Sequence, residues 1–239
     1  PDADGAYNTI QEAINNAESR DTGVLENGTY SNSAGLTITN ESVTLTAAEG
    51  ASPRINGSGN SVGITVSANG TTIESVIISN YSDAVRTSGT VSDLTLSSVI
   101  IKNSATGFDK PTASSINGLT ITDSVIRHNT YGAYLAHPQP GDGRANNILI
   151  EDTTFADNSK PGGSNSKKAL YAETLSNATF DNVTVRGSLD GFDINLKASD
   201  NEDITIEDSR FKNLGEPLKI KEYDGSGGSY GSTNYELGD

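Results

Sequence analysis

Between residues 71 and 213 the chain runs six times through one pattern of apolar and polar positions. The segments are TTIESVIISN (71–80), LTLSSVIIKN (94–103), LTITDSVIRHN (119–129), ILIEDTTFADN (148–158), ATFDNVTVRG (178–187) and ITIEDSRFKN (204–213). Each alternates apolar with polar residues, breaks at a short polar pair, and resumes with two or three apolar residues. All but the fifth, which closes on Gly187, end near an asparagine. With Ile73, Leu96, Ile121, Ile150, Phe180 and Ile206 as equivalent positions, the spacings are 23, 25, 29, 30 and 26 residues. A further short strand follows each unit, usually after a glycine: DAVR (83–86), GFDK (107–110), GAYL (132–135), ALYA (169–172), GFDINLK (191–197) and PLKIK (217–221).

Period-2 alternation puts one side of a strand into a core and the other into water. Three short strands per turn of roughly 25 residues predict a right-handed parallel β-helix, an all-β solenoid that repeats a thin core. Each coil advances about 4.8 Å, so about eight coils make a rod roughly 40 Å long. LTIT (36–39), VTLTA (43–47) and GITVS (63–67) extend the plan toward the N-terminus. The first segment differs. Thr9 and Glu12 form a capping-box pair, and Ile10, Ala13, Ile14 and Ala17 share a helical face. A helix over 9–19 is therefore expected to cover the open end of the core. The solenoid is expected to span 1–224, and the Gly/Ser-rich stretch 225–239 to be a tail or a linker.

Composition narrows the function. The 239 residues contain no cysteine, which excludes disulfides and thiolate metal sites. No apolar run approaches the length of a membrane span. A formal charge of −15 argues against a protein that grips nucleic acid, which needs clustered Lys and Arg. It suits solubility in a salty or extracellular setting. An acidic partner could still bind through a local basic patch or a bridging cation. The start at Pro1, without an initiator Met, leads us to expect a processed piece of a longer chain with further domains. Seven N-x-S/T triplets match what an Asn- and Thr-rich chain produces by chance.

The spacings also locate a candidate site. The coils swell to 29 and 30 residues through two loops, HPQPGDGRAN (137–146) and NSKPGGSNSKK (158–168). Both border one column of strands, and long loops walling a rigid sheet are where function tends to sit. Parity turns Phe108, Ala133, Leu170, Phe192 and Leu218 inward. Asp109, Tyr134, Tyr171, Asp193 and Lys219 then face out, followed by Ala136, Glu173, Asn195 and Lys221, with Lys197 continuing the fifth strand. A stripe of phenols, carboxylates and ammonium groups at strand spacing suits stacking and hydrogen bonding to sugars, and Tyr171, Asp109 and Asn195 are the expected substrate contacts. His128 takes the position that Asn80, Asn103 and Asn213 hold in other coils, a structural turn position. His137 opens the first long loop.

Segment 8–47, with NTIQEAINNAE, LENGTY and LTITNESVTLTA, resembles the opening of the pectate-lyase-like β-helix superfamily. That group includes polysaccharide lyases, mannuronan C-5 epimerases, NosD-like proteins and phage tailspikes. LDGFDINLKASDN (189–201) is similar to the Asp-Gly-Phe-Asp segments of some β-helical pectate lyases, in which acidic residues ligate calcium. ATGFDKP (105–111) is fainter kin to the Tyr-Gly-Phe-Asp-Pro-His signature of the epimerases, with Thr106 for the Tyr, Lys110 intervening and no His.

The resemblance implies a secreted protein acting on an acidic polysaccharide by cation-assisted proton abstraction, either β-elimination or C-5 epimerisation of uronates. It implies Asp190 and Asp193 as calcium ligands, and Glu173, one coil earlier, could join them because hard cations take several oxygens. The chemistry then asks for a base, for which Lys197, Lys219 and Lys221 are placed, and for a proton donor, for which Tyr134, Tyr171 and His137 are placed. Glu173 with Asp193, or Asp190 with Asp193, would supply the carboxylate pair of a hydrolase, so that reaction stays open. So does a non-catalytic glycan-binding, adhesin or surface module on the same scaffold.

Overall fold

The computed structural model describes residues 6–135, 144–159, 167–173, 175–196, 203–222 and 235–237. They wind into a right-handed parallel β-helix whose three sheets each add one strand per coil, every described pairing being parallel. Among the described residues the sheets hold nine, eight and eight strands. The alternating half of each repeat lies in the first sheet, as in Thr90–Ser97 and Ser115–Thr122. The resumed apolar triplet lies in the second, as in Ile100–Lys102. The third sheet carries Leu36–Ile38, Val62–Val66, Asp83–Thr87, Thr106–Lys110, Tyr131–Leu135, Lys168–Ala172, Asp190–Leu196 and Glu216–Glu222. Tyr235–Leu237, inside the expected tail, pairs with Ile204–Glu207 and adds the last strand of the first sheet.

Register stacks like on like. Ile73, Leu96, Ile121, Ile150, Phe180 and Ile206 form one continuous buried column, because each is the Cα partner of the next. Phe155, Phe180, Phe192 and Phe211 thicken the core near the C-terminal end through tilted and edge-on ring contacts. Such a core is narrow, so coil-to-coil contact supplies most of the burial, and stability sums over neighbouring coils.

The corners are set by residues that tolerate the left-handed backbone. Asn80, Asn103, His128, Asp157, Gly187 and Asn213 all have φ between 53° and 67° at the turn leaving the second sheet. His128 thus has the expected turn role, and its Nε2 lies 3.8 Å from Asp157 Oδ2. The buried ladder is one residue further on. Asn129 Oδ1 accepts from the Ser104 amide (2.9 Å), and Asn158 Oδ1 accepts from the Asn129 amide (3.1 Å). Ser188 Oγ accepts in turn from the Asn158 amide (3.2 Å). Each side chain satisfies a main-chain N–H that the corner leaves without a sheet partner.

The N-terminal helix runs over Ile10–Asn16, shorter than the expected 9–19, with Thr9 capping its start and Ala17 its end. Ile10 and Ile14 are buried against the first coil. Gln11 does more than turn to solvent. Its Oε1 accepts from the Thr37 amide (2.8 Å) and its Nε2 donates to the Thr37 carbonyl (3.0 Å), so one side chain mimics the missing strand partner of Leu36–Ile38. That is how the exposed end of the third sheet is closed.

Candidate functional site

The third sheet turns two outward rows toward one face. The Cα partners Arg86, Asp109, Tyr134, Tyr171, Asp193 and Lys219 form the first row, in the expected register. Phe108, Ala133, Leu170 and Phe192 alternate with them in the core, and Leu218 packs half-buried against it. The second row, three residues earlier, was invisible to parity: Asp83, Thr106, Tyr131, Lys168, Asp190 and Glu216. Residues three apart share a face because two inward residues in succession separate them, as in Ala84–Val85, Gly107–Phe108, Gly132–Ala133, Ala169–Leu170 and Gly191–Phe192. A Cβ on Gly107 or Gly132 would lie 2.3 Å from the carbonyl oxygen of the next coil, and one on Gly191 would lie 2.0 Å from that of Pro217. At these three positions the close approach of the neighbouring coil leaves no room for a Cβ. The GF and GA dipeptides were the available signal.

At the centre of the face the rings of Tyr134 and Tyr171 stack, with centroids 5.1 Å apart and planes 20° from parallel. Tyr131 meets Tyr134 edge-on at 5.0 Å. Burial, reinforced by the negative charge of Glu173 and by Tyr131 and Asp109, raises the Tyr134 pKa, so its phenol stays protonated. The Tyr171 hydroxyl donates to Glu173 Oε1 at 2.5 Å, and Glu173 is itself buried.

Charged groups flank the tyrosines. On the N-terminal side Arg86 Nε donates to Asp109 Oδ2 at 2.7 Å, and Nη2 lies 3.0 Å from Asp83 Oδ2. Burial raises the Asp109 pKa despite the hydrogen bond from Arg86, which acts in the opposite sense. On the C-terminal side Lys168 Nζ reaches both Asp190 Oδ2, at 3.3 Å, and Asp193 Oδ2, in a shorter contact. Lys168 escaped the sequence reading because it belongs to the second row. Beneath the face lies Lys110, fully buried, with Nζ donating to the Ser114 carbonyl at 3.0 Å. Burial lowers its pKa to about 8, although Glu173 and Asp109 pull it upward.

Of the three expected calcium ligands, Asp190 and Asp193 meet and Glu173 stands apart from them. Asp190 and Asp193 share the Lys168 ammonium, Glu173 is bonded to Tyr171, and among the described residues no three His, Cys, Asp or Glu side chains are grouped to hold a metal ion. The donor set therefore does not fit calcium. Of the expected bases, Lys219 stands in register with Asp193 and donates to Glu216 Oε2 at 2.9 Å. Asn195 and Lys221 are Cα partners on adjacent strands. Lys197 and His137 lie outside the described residues, as do most of the two long loops.

No protein-family model and no curated protein matches this sequence. Solved structures do. An alginate lyase from Paenibacillus sp. str. FPU-7 aligns at 13% identity with a TM-score of 0.58, covering 96% of both chains. The pectate lyase Pel9A aligns at 15% identity and a TM-score of 0.52, over 96% of this chain and 53% of that one. The PL6 family alginate lyase AlyGC aligns at 15% identity and 0.53, over 95% and 38% respectively. At these identities the likeness is one of fold, the right-handed parallel β-helix, and this chain spans only part of the last two.

Proposed function

We propose that the third-sheet face is a glycan groove and that the protein is a secreted, carbohydrate-active β-helix acting on an acidic, uronate-containing polysaccharide. The observation that carries this reading is the stacked Tyr134–Tyr171 pair, aligned along the solenoid axis and bracketed by Arg86–Asp109 and Lys168–Asp193. A sugar unit is about as long as the strand spacing is wide, so successive coils can meet successive sugars. Alginate and pectate, named for the structures it resembles, are polymers of this class.

In β-elimination a base takes the proton α to the uronate carboxylate, the bond to the leaving oxygen breaks, a C=C bond forms, and the leaving oxygen is protonated. In epimerisation the proton returns to the opposite face of the ring. The groups at hand divide these tasks. The Tyr171 hydroxyl, whose proton points at Glu173, is the acceptor that can pass that proton on. Tyr134, held protonated, is the donor. Arg86 offers its remaining N–H groups to the uronate carboxylate. The absorbance of unsaturated uronates, followed on alginate, pectate and glycosaminoglycans, tests this directly. Product that forms with the native chain and falls at least a hundredfold with Tyr171→Phe supports it, and no product on any of them contradicts it.

A second reading has its own observation. Each described carboxylate of the face except Glu173, which takes its hydrogen bond from Tyr171, lies beside an internal cation: Asp83 and Asp109 with Arg86, Asp190 and Asp193 with Lys168, Glu216 with Lys219. Groups so thoroughly paired suit a rigid platform that binds glycan without transforming it.

A further inference from the structure

Lys168 stands where the sequence led us to expect a metal ion. Asp190 and Asp193 sit three residues apart on one strand, and the two buried residues between them, Gly191 and Phe192, leave both carboxylates on the same face. Two such groups, 17% and 10% exposed at the side chain, repel one another unless a cation sits between them. That cation is the ammonium of Lys168, the Cα partner of Asp190 on the preceding coil and itself only 12% exposed. It also lies 5.9 Å from the centre of the Tyr171 ring, within reach of a cation–π attraction. Burial works against its charge. The hydrogen bond and attraction of Asp193, followed by those of Asp190, outweigh burial and raise its pKa.

A divalent ion would need the same space. Calcium sits 2.3–2.6 Å from six to eight oxygens, and Asp193 Oδ2 already touches the ammonium. The third expected ligand, Glu173, is engaged elsewhere. One atom shows what the pair would offer if the lysine left. Asp193 Oδ1 is buried and has no hydrogen-bond partner among the described residues, so an incoming cation would gain an anionic oxygen that none of them satisfies.

We propose that Lys168 is the built-in cation of this face, occupying the seat between Asp190 and Asp193 and making the seat independent of divalent metal. The lysine ties two coils together and fixes Asp193 beside the tyrosine platform. The consequence for metal binding stands whether or not the face meets a glycan. The consequence that glycan binding ignores chelators rests on the reading given above.

The test is a titration of the chelator-treated protein with calcium by calorimetry, and with terbium, whose luminescence neighbouring tyrosines sensitise. Four chains are compared: native, Asp193→Asn, Lys168→Gln and Lys168→Gln/Asp193→Asn. The native chain is expected to show no site that depends on Asp193. Lys168→Gln is expected to gain one, at least tenfold tighter than any native binding and lost again in the double variant. Calcium binding by the native chain that disappears in Asp193→Asn overturns the proposal, and so does a folded Lys168→Gln chain that gains nothing. If Lys168→Gln does not fold, the comparison of the native chain with Asp193→Asn decides alone. Metal-dependent glycan binding with no Asp193-dependent site would leave the seat intact and count against the glycan reading's chelator prediction only.

Discussion

Tyr134 and Tyr171 are Cα partners on adjacent coils, and their rings lie 5.1 Å apart, close to the spacing of the strands that carry them. The stack is thus a consequence of the fold: equivalent outward positions on successive coils must lie one strand spacing apart, and two phenols placed there have little choice but to stack. The same rule puts a Lys and an Asp, or an Arg and an Asp, in contact across coils without either being near the other in sequence.

Lys110 provides a pH-dependent check on the interior beneath that stack. Its pKa is lowered from 10.5 to about 8 in the fold, first by burial. The folded chain therefore binds fewer protons than the unfolded one between these values. The cost of the buried charge is complete below about pH 8, declines as pH rises, and is gone above the unfolded value. At neutral pH it amounts to about 3 kcal/mol. Against Lys110→Met, the native chain should gain about that much relative stability between pH 7 and pH 10.5, measured by urea unfolding. A difference that stays flat across the window would show that the ammonium is not desolvated.

The cap makes a second claim. Ile10 and Ile14 are 7% and 4% exposed. Replacing both with Asp should cost several kcal/mol, on the scale of removing large buried apolar side chains. A melting temperature equal to that of the native chain would mean that the helix does not seal the first coil.

A third concerns the corner ladder. Asn129 accepts from the Ser104 amide, and its own amide donates to Asn158. Asn129→Ala leaves a buried N–H without a partner and should cost about 1–3 kcal/mol. The same change at His128, the preceding residue, whose side chain is 45% exposed beside Asp157, removes no buried main-chain bond among the described residues. Equal losses at both sites would reject the ladder as a source of stability.

What the sequence revealed and what it hid follow from one rule. Alternation exposes any residue on an unbroken strand, so the column from Ile73 to Ile206 and the row from Asp109 to Lys219 could be read directly. Two inward residues in succession reset the count, and Tyr131, Lys168 and Asp190 were thereby left off the expected stripe. Asp190 was reached only through resemblance. Lys110 was legible as an inward position but not as a buried charge, because its partners, the Ser114 carbonyl and the field of Glu173, come from a turn and from two coils away. The turn position was legible, but the buried ladder lies one residue further on. The pattern shows where a corner falls, but which side chain points inward depends on the left-handed residue before it.

The central claim is that the tyrosine face meets the glycan, and one comparison of affinities addresses it most directly. Calorimetry or gel retardation with the polysaccharide that binds the native chain is repeated on Tyr134→Ala/Tyr171→Ala and on a control pair from the first sheet, Thr95→Ala/Thr205→Ala. Loss of the aromatic platform should weaken binding at least thirtyfold, about 2 kcal/mol, while the control pair stays within twofold of the native chain. Equal losses on the two faces, or a platform variant that binds as tightly as the native chain, would contradict the assignment.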